Sequence, residues 1–167
     1  MEHLATACFA GGCFWCITPT FRDMAGVKAV VSGYSGGAEV NPDYQSVKAQ
    51  RTGHRETIRI DYDPAKISFT ALLEVFLAGV DPFDRDGQFI DRGHSYTLAV
   101  YYLDQTQQRL AEERIKKLET DAGKPVYISI EPFSTFYPAE EEHQDFDRKN
   151  PDAFRRELLD SGRLKIH

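Results

Sequence analysis

The sequence predicts an α+β fold, a mixed sheet with helices packed on it in a two-layer sandwich. Three observations carry that expectation. Segments with the period-two alternation of strands are interleaved with segments bearing a helical apolar stripe, and the loops between them are unequal in length. Side chains that stop and start helices fall at the joints. With 41% apolar and 28% charged residues, 167 residues suit one ordinary domain that buries a core without disulfide staples.

Residues 5–10 (ATACFA) read as a short buried strand that stops at Gly11-Gly12, after which residues 13–23 start a helix with Cys13 in or near its first turn. VKAVVSGY (27–34) reads as a second strand, running into SGGAEVNPDY, whose Gly, Asn and Pro content is turn chemistry. HRETIRIDYDP (54–64) alternates: Ile58, Ile60 and Tyr62 face one side, Arg55, Thr57, Arg59 and Asp61 the other. The same period puts His54 and Glu56 on the apolar side. Ser68 caps a helix whose Phe69, Leu72, Leu73, Phe76 and Leu77 form a core-facing stripe. A polar loop (81–95) follows, then YTLAVYYL (96–103), apolar on both faces and so expected in the interior of the sheet. Asp104 caps a helix to about residue 122, ended by Gly123-Lys124-Pro125, and VYISIEPF (126–133) is a further strand. The tail is polar and partly helical over 139–160.

No repeat, linker or low-complexity tract divides the chain, so a single domain over residues 1–167 is expected. No apolar run approaches the roughly 18 to 20 residues of a membrane span, and the N-terminus lacks a signal pattern, so a cytoplasmic protein without a membrane partner is expected. With 20 basic and 26 acidic side chains the formal charge is −6, and no basic cluster is interleaved with aromatics, which disfavours nucleic acid as a partner. The three cysteines, Cys8, Cys13 and Cys16, crowd into the first tenth of the chain. That is an odd number in one place, unlike a secreted disulfide framework, and suits a reducing compartment.

GGCFWC (11–16) asks for a chemical explanation. A structural zinc site needs four ligands, and the chain has no second C-x-x-C and no H-x3-5-H, so no metal is expected. Cys8 shares a strand face with Ala10 and reads as a small buried hydrophobe. Cys13 is different, because a thiol at a helix N-terminus meets free amides and the positive dipole end, which lowers its pKa. Cys16, one turn later, is placed to attack whatever forms on Cys13. Glu56 is the second anomaly: a carboxylate on the buried face of a strand needs a partner or a proton. Its neighbours Arg55 and Arg59 point the other way, so a protonated or proton-sharing Glu56 is expected, the state a general acid needs. Asp91 in DRGHSY and Tyr44 in NPDY are, by themselves, polar loop residues.

GGCFWC, SGYSGG, NPDY, TGHRE, DRGHSY and STFYPAEEEHQ occur in the order of the type A peptide methionine sulfoxide reductases, and the chain resembles that family over about residues 5–150. The resemblance implies a ferredoxin-like core, Cys13 as nucleophile, and Phe14 and Trp15 walling an apolar pocket for the substrate methyl group. It also implies that Glu56 donates a proton toward the sulfoxide oxygen, that Tyr44 and Tyr96 hydrogen-bond there, and that Asp91 helps orient the substrate backbone. The implied substrate is the S epimer of methionine sulfoxide, free or in proteins. The implied reductant is thioredoxin or another dithiol, with no bound cofactor, and the role is repair of oxidative damage. Many members resolve with cysteines near the C-terminus; this chain has none after Cys16, which makes Cys16 the leading resolving thiol with Cys8 behind it. Nothing resembles the type B domain, and a monomer is expected. Two rivals are a thioredoxin-like disulfide oxidoreductase, which has no use for Glu56, and a sulfoxide-binding module that does not turn over.

Overall fold

The computed structural model describes residues 3–161 and 163. In chain order its elements are β1 (Ala5–Gly11), α1 (Phe14–Arg22), β2 (Val27–Ser35), α2 (Tyr44–Lys48), β3 (Arg55–Tyr62), α3 (Phe69–Ala78), β4 (Gly87–Gln88), β5 (Asp91–Arg92), β6 (Leu98–Tyr102), α4 (Gln105–Ala122), β7 (Ile128–Pro132), β8 (Tyr137–Pro138), α5 (Phe146–Lys149) and α6 (Pro151–Ser161). Six strands form one sheet in the order β7-β6-β1-β3-β2-β8, and β4 and β5 form a separate ribbon. Only β6 and β7 pair in parallel; the other pairs in the large sheet are antiparallel. Within it, β1-α1-β2-β3-α3-β6 with strand order β6-β1-β3-β2 is the split βαβ arrangement of a ferredoxin-like core.

Alternation along β1 and β6 sorts the core. Ala7, Phe9, Leu98 and Val100 join Phe14, Ile17 and Phe21 of α1, Leu72, Leu73 and Phe76 of α3, and Ala111 and Ile115 of α4 in the main cluster. Phe9 stacks on Phe76 with ring centroids 4.8 Å apart. The opposite face carries a smaller cluster of Cys8, Ala10, Ala99 and Tyr101 beneath Phe133. Its cover is the extended segment after β7: a Cβ at Gly33 would lie 2.4 Å from the Phe136 ring and from the Tyr137 carbonyl, so that close approach requires glycine. The expected interior strand is therefore found, buried on both faces, but begins at Leu98 because residues 94–96 coil into a 3-10 turn.

The expected caps are in place. Ser68 accepts from the Ala71 amide, Asp104 accepts from the Gln107 amide, and Gly123 closes α4 in the left-handed conformation. Elements not expected are the short α2, begun by Asp43 accepting from the Ser46 amide, and β8, which pairs with the end of β2. The tail returns to α1. Arg22 of α1 bonds Asp145 and Asp147, and Gln144 exchanges hydrogen bonds with both backbone groups of Ser32, completing the β2 edge as a strand partner would. Among the described residues no helix is long and apolar enough to cross a membrane.

Candidate active site

The site forms where β1 ends and α1 begins. Gly12 joins them at a φ of 85°, and a Cβ there would lie 2.9 Å from Gln88 and 3.0 Å from the Arg163 guanidinium, so both backbone angle and crowding exclude a side chain. Cys13 occupies the N-cap position of α1, with its backbone at φ −57° and ψ 116°, but its side chain makes no capping hydrogen bond. The exposed end of the helix is satisfied by other means. The Phe14 amide donates to Glu56 Oε1 at 3.1 Å, and the Cys16 amide donates to the Cys13 carbonyl at 3.1 Å.

Glu56 comes from β3, on the face that Ile58 and Ile60 share, and is 1% exposed. Burial pushes its carboxyl up to about 8, with the nearby Asp91 and Cys16 adding to the rise and the Phe14 amide and Tyr96 hydroxyl pulling the other way. Its Oε2 has no hydrogen-bond partner among the described residues. Among the described residues no cation bonds it, and burial without a counter-charge favours the protonated form. The alternation of β3 therefore places the acid where the sequence expected it, and Arg55 indeed turns to the other face.

The thiols depart from expectation in one respect. All three cysteines are free and buried. The Cys13 thiol is held well above an ordinary thiol, not below it: its hydrogen bond with Cys16 is the first cause, followed by burial, the charge on Cys16, and the carboxyls of Glu56 and Asp91. The Phe14 amide, the first of α1, donates to Glu56 rather than to the sulfur. The Cys13–Cys16 hydrogen bond lowers Cys16 instead, helped by the Arg163 charge against the cost of burial. In the resting pair the easier proton to lose belongs to Cys16. Cys8, held up to about 12 by burial, lies on the opposite side of the sheet, among Ala10, Ala99 and Tyr101.

An aromatic stack borders the thiols. Phe14 is fully buried and packs against Tyr34, Tyr44 and His143, so it backs the site rather than lining its surface. Trp15 is half-buried between Tyr44, at 5.8 Å, and Phe146, which stacks on it at 3.9 Å. His143 stacks on Tyr44 at 4.0 Å. Glu140 sets this wall, its carboxylate accepting from the Tyr34 hydroxyl at 2.8 Å and from the Tyr44 amide at 3.0 Å. The indole Nε1 of Trp15 is buried with no partner among the described residues.

The third side is the polar loop before β6. Gln88, fully buried, bonds both backbone groups of Asp81 and the Gly87 carbonyl, and Arg92 pairs with Asp84; this lacing presents Asp91 on β5 and Tyr96 in the turn after it. Burial and the charge of Glu157 raise the Asp91 carboxyl, while Arg163 and Lys48 oppose the rise. Tyr44 and Tyr96 both feel Glu56, Asp91 and Cys13, and burial keeps both hydroxyls protonated as donors. All eight residues singled out in the sequence thus meet in one place. Joining them are Glu140, His143 and Phe146, which the run AEEEHQDF conceals as a solvated acidic stretch, and Glu157 and Arg163 from the tail. Two groups have donor atoms within 4.8 Å of one another, Cys13 with Asp91 and Glu157, and Glu140 with Glu142 and His143. In the second, both Glu140 oxygens are already engaged. His54 lies outside the site, bonded to the Gly37 amide and the Glu39 carbonyl.

Comparison with known proteins places this geometry. A family model described as peptide methionine sulfoxide reductase matches residues 5–166. The peptide methionine sulfoxide reductase MsrA of Halalkalibacterium halodurans is 46% identical over 164 residues, covering 97% of this chain and 93% of that protein. Among solved structures, reduced Mxr1 from Saccharomyces cerevisiae matches with a TM-score of 0.83 and 26% identity, covering 89% of this chain and 87% of that one. Mxr1 in complex with Trx2 matches with a TM-score of 0.56 and 18% identity, covering 86% and 84%, a likeness of fold. The chain belongs to the peptide methionine sulfoxide reductase family, enzymes that reduce methionine sulfoxide.

Proposed function

We propose that this reductase takes the S epimer of methionine sulfoxide, free or within proteins, by nucleophilic attack of Cys13 on sulfur with Glu56 as the acid. The observation that carries the reading is Glu56: a carboxyl 1% exposed, with no counter-ion among the described residues, its pKa pushed up to about 8 by burial, and tied to the amide that follows Cys13. The sulfoxide oxygen turns toward Glu56, Tyr44 and Tyr96, and the methyl group toward Trp15 with Phe14 behind it. The rest of the side chain runs toward Asp91. Three distinct surroundings for three substituents of a pyramidal sulfur accept one epimer.

As substrate binds, the Cys13 proton passes along its hydrogen bond to the ionised Cys16 sulfur, and the Cys13 thiolate attacks the sulfoxide sulfur, forming an S–S bond while Glu56 protonates the oxygen. The hydroxyl then moves to Cys13 as the S–O and S–S bonds to the substrate sulfur break, leaving methionine, a Cys13 sulfenic acid and ionised Glu56. The Cys16 sulfur then attacks Cys13, forming the disulfide and releasing the oxygen as water. An external dithiol returns the pair to its reduced state by exchange. The solved complex of Mxr1 with Trx2 supports thioredoxin as that dithiol. The position of Cys8 across the sheet favours Cys16 as the resolving thiol. The enzyme needs no bound cofactor in this scheme, acts as a monomer in the cytoplasm, and serves the repair of oxidised proteins.

The test is quench-flow release of methionine from each resolved epimer without recycling reductant. About one methionine per enzyme is expected from the S epimer and none from the R epimer, by the stoichiometry of a covalent intermediate. Equal bursts from both would end the stereochemical reading. Cys16→Ser should keep the burst amplitude, reached more slowly because the hydroxyl is a poorer acceptor of the Cys13 proton, and then stall with thioredoxin as reductant.

A further inference from the structure

The tail residue Arg163 has no part in the scheme above, yet it is 5% exposed and locked beside the thiols. Its Nη1 donates to the Gly79 carbonyl at the end of α3 at 2.7 Å, and its Nη2 donates to the Gly11 carbonyl, two residues before Cys13, at 3.2 Å. The guanidinium lies over the Phe89 ring at 4.8 Å. These contacts use up its freedom without neutralising it: both acceptors are neutral carbonyls, and no carboxylate bonds it among the described residues. Arg163 and Cys16 line the same cavity of about 340 Å³, whose other walls are chiefly apolar, including Ile17, Phe76, Phe154 and Leu158. A buried cation therefore shares a low-dielectric space with one sulfur of the pair.

We propose that Arg163 is a positioning residue of the resolving half-reaction, its fixed guanidinium holding the negative charge of the Cys16 sulfur when that sulfur attacks the sulfenic acid and again when it leaves on reduction of the disulfide. The proposal rests on Cys16 as the resolving thiol. Both steps need charge in the same place: Cys16 gives up the proton it took from Cys13, its thiolate forms the S–S bond and that proton leaves with the Cys13 hydroxyl as water, and later the incoming dithiol's thiolate, attacking Cys13, expels Cys16 as a thiolate. A leaving thiolate of lower basicity departs faster. The alternative leaving group, Cys13, would develop its charge against Glu56 and Asp91, so the cation also selects which sulfur the dithiol attacks. The other groups facing Cys16 are Cys13, Glu56, Asp91 and Glu157; the carboxyls among them oppose its ionisation, and Arg163 is the cation that favours it.

The experiment compares wild type with Arg163→Gln and Arg163→Lys in the reduced full-length protein. Alkylation of Cys16 by iodoacetamide is followed by mass spectrometry from pH 5 to 10, which reads the ionisation of that sulfur whether or not it resolves. Its midpoint should rise by roughly one pH unit or more in the glutamine variant, the usual effect of removing an adjacent opposite charge, and by less in the lysine variant. The disulfide formed after a single turnover, normalised to the methionine burst of each protein, should appear more slowly in the glutamine variant. The reduction potential of its pair should also be more negative. A midpoint unmoved in both variants overturns the proposal, including where the melting temperature falls, since a merely structural arginine lowers stability without moving the profile. If wild type makes methionine but no Cys13–Cys16 disulfide, the resolving reading fails and the assigned role of Arg163 with it, while a shifted alkylation midpoint would still locate the charge.

Discussion

Arg55 and Glu56 are neighbours on β3, both buried, and the sheet sends them to opposite worlds. Arg55 donates to Thr97 at 2.8 Å, to the Tyr101 hydroxyl at 3.0 Å and to Glu131 at 2.6 Å, and Glu131 is held in turn by Ser129. Every cost of burying that charge is offset. Glu56 receives one backbone amide and has no cation bonded to it among the described residues. A buried charge with a full set of partners holds chain segments together, here β3, β6 and β7. A buried carboxyl denied a counter-ion keeps its proton instead, and a proton held near neutral pH can be delivered. The comparison predicts losses of rate on one face and losses of stability on the other.

The largest effect is at the nucleophile. Cys13→Ser should reduce methionine production to background, since a hydroxyl cannot replace the thiolate, and single-turnover release measures it.

Next comes the acid. Glu56→Ala should slow that release by on the order of 10² to 10⁴, the range for general acid catalysis, with Glu56→Gln between because an amide donates a hydrogen bond but no proton. Wild type should lose rate as pH rises past about 8, a limb absent from the glutamine variant. Stability should follow the same group. The carboxyl keeps its proton to about 8 when folded but only to about 4.5 when unfolded, so the native state binds the extra proton between those values. Wild-type stability therefore falls as pH rises through that window, and Glu56→Gln should gain on wild type from pH 5 to 8.5 in melting temperature. A gap between the two that stays constant with pH would mean Glu56 is ionised in the resting protein.

On the opposite face, Arg55→Met should cost about 2 to 3 kcal/mol in denaturant unfolding, less than a wholly buried pair because Glu131 is one-third exposed. Once corrected for the folded fraction, its burst rate should stay near wild type. A rate loss comparable to that of Glu56→Ala would erase the distinction between the faces. The smallest effect is at the wall: Trp15→Ala removes a stacking partner of Tyr44 and Phe146 and should raise KM with little change in kcat, an aromatic pair contributing about 0.5 to 1.5 kcal/mol.

Glu56 was legible because alternation is a local rule, and β3 obeys it over its whole length. Ser68, Asp104 and Gly123 were legible for the same reason, each cap acting within a turn of its own helix. The failures share the opposite cause. The lowered Cys13 thiol assumed that the first amides of α1 faced the sulfur, and the Phe14 amide goes instead to a carboxylate 42 residues away. β8 exists because β2 has an edge to offer. His143 and Phe146 join the aromatic wall because α1 and the tail meet, held by pairs such as Arg22 with Asp147, and no periodicity within AEEEHQDF announces that meeting.

The bond from the Phe14 amide to Glu56 also has a mechanical side. Nucleophile and acid sit on different elements, Cys13 at the start of α1 and Glu56 on β3, beyond the last paired residues of β1 and β3. The bond fastens the acid to the peptide unit that carries the Cys13 carbonyl carbon, so a displacement of the first turn of α1 carries both groups with it. Their separation is kept by a short tether rather than by the rigidity of the whole domain, which lets the rim of the site shift around substrates of different bulk while the reacting pair stays in register.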